Sequence, residues 1–233
     1  MTATRTTTVD VEAGSFDMHL WTPEHGSGPA LLLVQEIFGV GPYIKAVAER
    51  LAGAGYVVGA PDVFWRIAPG WASTHDEAGL TASIGLMSSF DFPAAVADCV
   101  AALGALGSLS ETTGAPGVIG FCLGGTLAFA VAAHAEPSVC VSYYGSGVPD
   151  MAGILDQVTC PVLFHFGSND SYIPNEKVEA LNAALAGRAN GTLNVEIANH
   201  AFDNHEAAMF YDESAAKAAW AKTMAFLSTH LPT

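Results

Sequence analysis

Gly120-Phe121-Cys122-Leu123-Gly124 sets a thiol among small residues, where an apolar run at 117–122 gives way to LGGTLAFAVAAHA at 123–135. This is the pattern of a nucleophile elbow with Cys in the position that Ser more often holds. Such a turn forces the nucleophile into a strained backbone conformation and packs its strand against its helix. Side chains two positions before and after it would collide, and Gly120, Gly124 and Gly125 remove those collisions. A helix N-terminus under Cys122 favours thiolate over thiol, and the Leu123 N–H points where an oxyanion would form. Two plainer readings compete. A small Cys is often merely buried. A dinucleotide fingerprint is the other, but Gly120-x-x-x-Gly124-Gly125 does not fit G-x-G-x-x-G and is not in the first βα unit.

A cysteine nucleophile needs a base, and the base an orienting acid, which elbow enzymes supply in the chain order nucleophile, acid, His. Ser168-Asn169-Asp170 follows the apolar run at 161–167, and Asn199-His200-Ala201-Phe202 follows that at 193–198. Asp170 and His200 therefore both stand at strand ends. The commonest work of an Asp in such a loop is an Asx turn or a helix cap. Of the eight histidines, His19, His134, His165 and His230 read as packing or surface residues. His205 shares the loop of His200 and is its main competitor as base, and His200-x-x-Asp203-x-His205 also reads as a weak metal site without any strong ligand spacing.

A fourth strand end, Gln35-Glu36-Ile37-Phe38-Gly39, is where elbow enzymes place the second oxyanion N–H, here that of Ile37. A carboxylate beside a thiol opposes thiolate formation, so Glu36 either accepts the thiol proton, holds the resting side chain aside, or is a solvated loop residue.

The elements that must position these residues follow one rhythm. TVDVEA (8–13) and FDMHLW (16–21) alternate around Gly14-Ser15, which predicts an antiparallel hairpin turning there. Apolar runs at 30–36, 56–61, 117–122, 139–145, 161–167 and 193–198 then alternate with helical spacing at 43–55, 93–106, 123–135, 176–186 and 213–230. Such alternation requires a mostly parallel sheet covered by helices on both faces, and the class is α/β. No linker or composition shift divides 1–233, which predicts a single domain. The segment 62–92 shows no strand and reads as a structured insertion over one sheet edge that could line a pocket.

Composition excludes several classes. The 233 residues are 51% apolar, with eight Lys plus Arg against 23 Asp plus Glu, a net charge of −15 that repels phosphate backbones and anionic headgroups. Nucleic acid and membrane are not expected partners. Four cysteines in this length are too few for a disulfide framework and lack zinc-finger spacing, so reduced thiols in a cytoplasmic setting are expected, with no metal and no cofactor. The N-terminus lacks the apolar run of a signal peptide, and no apolar run is long enough to span a bilayer. Oligomeric state is left open.

With QEIFGV (35–40), GFCLGG (120–125) and HFGSNDSYIP (165–174), supported by PDVFWR (61–66), SYYG (142–145) and NHAF (199–202), the chain resembles the dienelactone hydrolase family of the α/β-hydrolase superfamily. The resemblance runs from about Val11 to the last helix. It implies Cys122 as nucleophile, Asp170 and His200 as its partners, the Ile37 and Leu123 N–H groups as oxyanion hole, and Glu36 as the residue that meets the resting thiol. The family holds its substrate carboxylate with two arginines. The position of one falls here on Asn204, and no Lys or Arg lies between Arg66 and Lys177 to supply the other. A desolvated carboxylate without a cation is costly, so a small neutral ester or lactone is the expected substrate. Phe38, Trp65, Arg66, Tyr144, Phe202 and Asn204 are the residues expected to touch it. A thiol redox sensor and a catalytically silent binding scaffold are the competing functions.

Overall fold

The computed structural model describes residues 3–233. The chain opens with β1 (Ala3–Val11) and β2 (Gly14–Thr22), antiparallel from Ala3 opposite Thr22 to Val11 opposite Gly14. The hairpin therefore turns at Glu12-Ala13, and Gly14-Ser15, the expected turn, pairs within β2. The reason lies in Thr4, Thr6, Thr7 and Thr8. These β-branched residues favour a pleated, half-exposed surface without supplying apolar alternation, so β1 begins earlier than its hydrophobic pattern and sets a register centred two residues back.

Next come β3 (Ala30–Val34), α1 (Pro42–Gly53), β4 (Val57–Pro61), α2 (Glu77–Met87), α3 (Phe92–Gly107), β5 (Gly117–Phe121), α4 (Leu123–Ala135) and β6 (Cys140–Tyr143). A 3₁₀ segment at Pro149–Gln157 leads to β7 (Val162–Gly167), α5 (Asn175–Leu185), β8 (Gly191–Glu196) and α6 (Glu213–His230). The strands form one sheet of order β1-β2-β4-β3-β5-β6-β7-β8, antiparallel at β1–β2 and β2–β4 and parallel elsewhere. Every residue of β3 to β7 is buried, as expected of strands covered on both faces. On one side α1 meets α6, with the Arg50 guanidinium 3.7 Å over the Trp220 ring, while α3 and α4 pack together elsewhere. This is an α/β-hydrolase fold.

The insertion 62–92 contains a helix that its sequence concealed. Asp76 caps α2 by accepting from the Gly79 N–H at 2.8 Å and from the Thr74 hydroxyl at 2.9 Å.

The chain steps from β3 to β4 on one side and then returns to place β5 on the other side of β3. A crevice opens beyond the carboxyl ends where the strand order reverses in this way. Val34 pairs with Gly120, so the loop after β3 leaves the sheet beside the end of β5, where Phe121 is followed by Cys122.

Candidate active site

Cys122 occupies that reversal with φ 54° and ψ −115°, a backbone conformation that costs an L-residue energy and aims its side chain out of the turn. A Cβ on Gly120 would lie 2.0 Å from the Gly124 carbonyl oxygen, and one on Gly124 would lie 2.1 Å from that of Val34. The turn therefore exists only with glycine at both positions. Cys122 N–H donates to Tyr143 O at 3.0 Å and its carbonyl accepts from Thr126 N–H at 3.2 Å, which fixes the thiol at the head of α4.

The Cys122 Sγ lies 3.1 Å from His200 Nε2, and His200 Nδ1 lies 2.7 Å from Asp170 Oδ2. Asp170 is held in turn by the N–H groups of Tyr172 at 2.8 Å and Ile173 at 3.2 Å, both on Oδ1, which leaves Oδ2 for the imidazole. Burial alone disfavours a charged His200. The adjoining Cys122 and the bonded Asp170 outweigh it and hold the imidazole pKa well above its usual value. Tyr144 and Tyr172 lie against the ring, with centroids 5.2 and 5.1 Å away. His205 is apart from this set, 41% exposed and 3.6 Å from the Glu206 carboxylate. Asp203 turns inward to the Tyr43 hydroxyl, so His200, Asp203 and His205 do not converge as metal ligands.

The loop after β3 is pinned from outside. The Ile37 carbonyl accepts from the Trp71 indole at 3.1 Å, and that of Phe38 accepts from Ser73 N–H at 3.0 Å. Gly39 has φ +84°, and a Cβ there would lie 1.8 Å from the Trp71 carbonyl oxygen, so the contact requires glycine. Ile37 and Leu123 both border the cavity over Cys122.

Glu36 is no solvated loop residue. It is fully buried, its Oε2 accepts from Asn204 Nδ2 at 2.6 Å, and its Oε1 has no hydrogen-bond partner among the described residues. Burial pushes its pKa up to about 7. The thiol faces His200 here. Behind these groups Tyr43 donates to Asp203 at 2.8 Å and lies 3.2 Å from the Tyr144 hydroxyl, and burial pushes Asp203 up to about 6. This buried polar layer was not expected from the sequence. Asp203 offered only its place between two histidines, and Tyr43 only a place on the buried face of α1.

The cavity above Cys122 and His200 has a volume of about 380 Å³. Phe38 lines it, together with Ser146, Tyr172, Phe210 and three residues of α2 (Leu80, Ile84 and Met87) that were not singled out. Trp65 and Arg66 do not. Asp98 of α3 accepts from the Trp65 indole at 2.8 Å and from Arg66 Nε and Nη2 at 2.9 and 2.8 Å. A buried carboxylate captures its nearest donors, and Asp98 takes both side chains away from the cavity. Tyr144, Phe202 and Asn204 are fully buried beneath the site and support it from behind, outside the cavity lining.

Comparison with known proteins assigns the family. Residues 16–231 match the model of the dienelactone hydrolase family. A carboxymethylenebutenolidase of a Pseudomonas species is 34% identical over 220 residues, covering 94% of this chain and 92% of its own. Carboxymethylenebutenolidase 1 of Cupriavidus pinatubonensis is 32% identical over 216 residues, covering 92% of each chain. A crystal structure from Klebsiella pneumoniae subsp. pneumoniae, provisionally named a dienelactone hydrolase, superposes with a TM-score of 0.83 at 27% identity, covering 98% of this chain and 99% of that one. A dienelactone hydrolase-like promiscuous phosphotriesterase shares the fold, with a TM-score of 0.83 at 24% identity over 99% of both chains. The elbow, the residues brought to it and these matches over nearly the whole length together place the chain in the dienelactone hydrolase family.

Proposed function

We propose that the protein hydrolyses a small neutral ester or lactone through a Cys122-His200-Asp170 triad and an acyl-enzyme intermediate. The observation that carries this reading is the unbroken line from Cys122 Sγ to His200 Nε2 at 3.1 Å and from His200 Nδ1 to Asp170 at 2.7 Å. His200 takes the thiol proton as sulfur attacks the substrate carbonyl, and the Ile37 and Leu123 N–H groups receive the oxyanion. Collapse breaks the ester C–O bond, and His200 gives its proton to the departing alkoxide. Water, deprotonated by His200, then attacks the thioester, releases the carboxylic acid and returns the proton to sulfur.

Neutrality of the substrate rests on the cavity wall, whose ionisable side chains are those of Glu36, Cys122, Tyr172 and His200, with no Lys or Arg. A small-molecule ester or lactone is therefore the partner. The remaining thiols are poor competitors for a redox role. Burial pushes Cys99 up to about 12, Cys160 up to about 11 and Cys140 well above its usual value. All four cysteines are free, and a catalytic thiol keeps its reactivity in a reducing compartment, which supports a cytoplasmic location.

A panel of p-nitrophenyl esters and simple lactones tests the proposal. Wild type should turn over and show a thioester adduct on Cys122 by intact mass spectrometry, and Cys122→Ala should do neither. Turnover retained in Cys122→Ala would sink the mechanism.

A further inference from the structure

Helix α2 buries only Gly79 and Ser83, yet it carries Leu80, Ile84 and Met87 one and two turns apart on one face. A surface helix normally turns such a stripe to the core. Here the three side chains border the cavity above Cys122, and Ile84 remains 53% exposed. The stripe thus faces a volume of about 380 Å³, within the range of small-ligand pockets. The helix is tied to the oxyanion loop: Ser73 N–H donates to the Phe38 carbonyl, and the Ser73 hydroxyl donates to the Gly79 carbonyl at 3.2 Å. His200 borders the same cavity, against Tyr172. The leaving alkoxide must face His200 Nε2, because that nitrogen returns the proton. The acyl chain of the same tetrahedral intermediate is a separate substituent, and the exposed stripe of α2 supplies an apolar wall for it.

We propose that Leu80, Ile84 and Met87 form an acyl-chain subsite, so that the protein selects esters of medium-length, unbranched alkyl acids over acetates. This rests on the hydrolase reading above. Each methylene moved from water onto this wall should raise kcat/KM about fourfold. Specificity would then reside in a helix that supplies none of the reacting groups.

The test measures kcat/KM for p-nitrophenyl acetate, butanoate and hexanoate with wild type, Ile84→Ser and Leu80→Ser, together with ethyl, butyl and hexyl acetates. Ile84 is half exposed, so Ile84→Ser should fold, which thermal melting checks. Wild type should climb steeply along the acyl series, and each variant should lower the hexanoate-to-acetate ratio by about tenfold. Hydrolysis with no dependence on acyl length, or an unaltered ratio in both variants, overturns the subsite and leaves the hydrolase reading standing. A steep dependence on alcohol length instead assigns the alkyl chain to the Tyr172 flank and also overturns it. Failure of every ester to acylate Cys122 is a different result, and removes the hydrolase reading itself.

Discussion

Asn204 ties Glu36 to the loop that carries His200. Its Nδ2 donates to Glu36 Oε2 at 2.6 Å while its Oδ1 accepts from Glu206 N–H at 3.0 Å. One buried amide thereby joins the segment of Ile37, the proposed oxyanion donor, to that of His200, the proposed base. Its hydrogen bond also favours the ionised form of Glu36 against the burial that raises its pKa. Asn204→Leu should therefore move the Glu36 titration above about 7. The rate of Cys122 alkylation against pH reads this, because a charged Glu36 opposes the thiolate. The limb near neutrality should shift upward in Asn204→Leu and vanish in Glu36→Gln, and identical profiles in all three proteins would return Asn204 to a packing role.

Glu36 should also appear in folding stability. Its ordinary pKa of 4.5 is raised to about 7 in the folded protein, so between those values the native state keeps a proton that the unfolded chain has released. Wild type should lose stability relative to Glu36→Gln as pH rises through that window, by about 3 kcal/mol in all. His165 acts in the opposite sense, since burial lowers its pKa to about 3 and the native state refuses a proton that the unfolded chain takes. It contributes to both proteins and cancels in the difference. Urea denaturation of the pair from pH 4 to pH 8 measures the slope, and parallel curves would mean that folding leaves the Glu36 pKa where the unfolded chain has it.

The two histidines of one loop should separate by activity. His200→Asn removes the proposed general base and should cost about 10²–10⁴ in kcat. His205→Asn changes an exposed side chain beside Glu206 and should cost less than about threefold. Steady-state kinetics on one neutral ester decides, and the reverse ranking would move the base to His205.

Cys122 sits at φ 54° and ψ −115°, where glycine alone is unstrained. Cys122→Gly and Cys122→Ala should both be inactive, with the glycine variant more stable by about 1 kcal/mol despite the entropy that glycine ordinarily costs. Chemical denaturation compares them. A more stable alanine variant would mean that the elbow relaxes once its thiol is gone.

The site was legible where chemistry and backbone geometry share a few consecutive residues. Gly120, Gly124 and Gly125 around Cys122 betray the elbow, and Asp170 and His200 each follow an apolar strand within a short loop. Trp65 and Arg66 were misplaced because their partner, Asp98, lies more than 30 residues away on α3, and nothing in local spacing shows that a buried carboxylate will claim them. Helix α2 stayed hidden because Gly79, Thr81, Ser83 and Gly85 dilute its apolar period, although Asp76 three residues before Gly79 was an N-cap signal. The buried layer of Tyr43, Tyr144 and Asp203 joins three distant segments, a relation that only the folded chain displays.

Substrate charge offers the sharpest check, because the structure removes an alternative that the sequence permitted. Arg66 was the one cation within the insertion, and it is held by two hydrogen bonds to Asp98 with its guanidinium over the Trp65 ring, 4.4 Å from the ring centre. Freeing it would leave a buried carboxylate unpaired, at a cost of several kcal/mol. Asn204, which stands where the family has its other arginine, spends its amide on Glu36 and is fully buried. A substrate carboxylate entering the cavity would thus meet apolar walls, the Glu36 carboxyl, ionised in part near neutral pH, and a His200 imidazole whose charge is already matched by Asp170. At about 1.4 kcal/mol per factor of ten, the unpaired charge should favour a neutral ester or lactone over its carboxylate-bearing analogue by at least ten- to hundredfold in kcat/KM, with leaving groups matched. The preference should narrow below pH 6, where Glu36 becomes neutral and its repulsion is lost. An anionic analogue that proves the better substrate would require Arg66 to leave Asp98, and Asp98→Asn should then raise its turnover further.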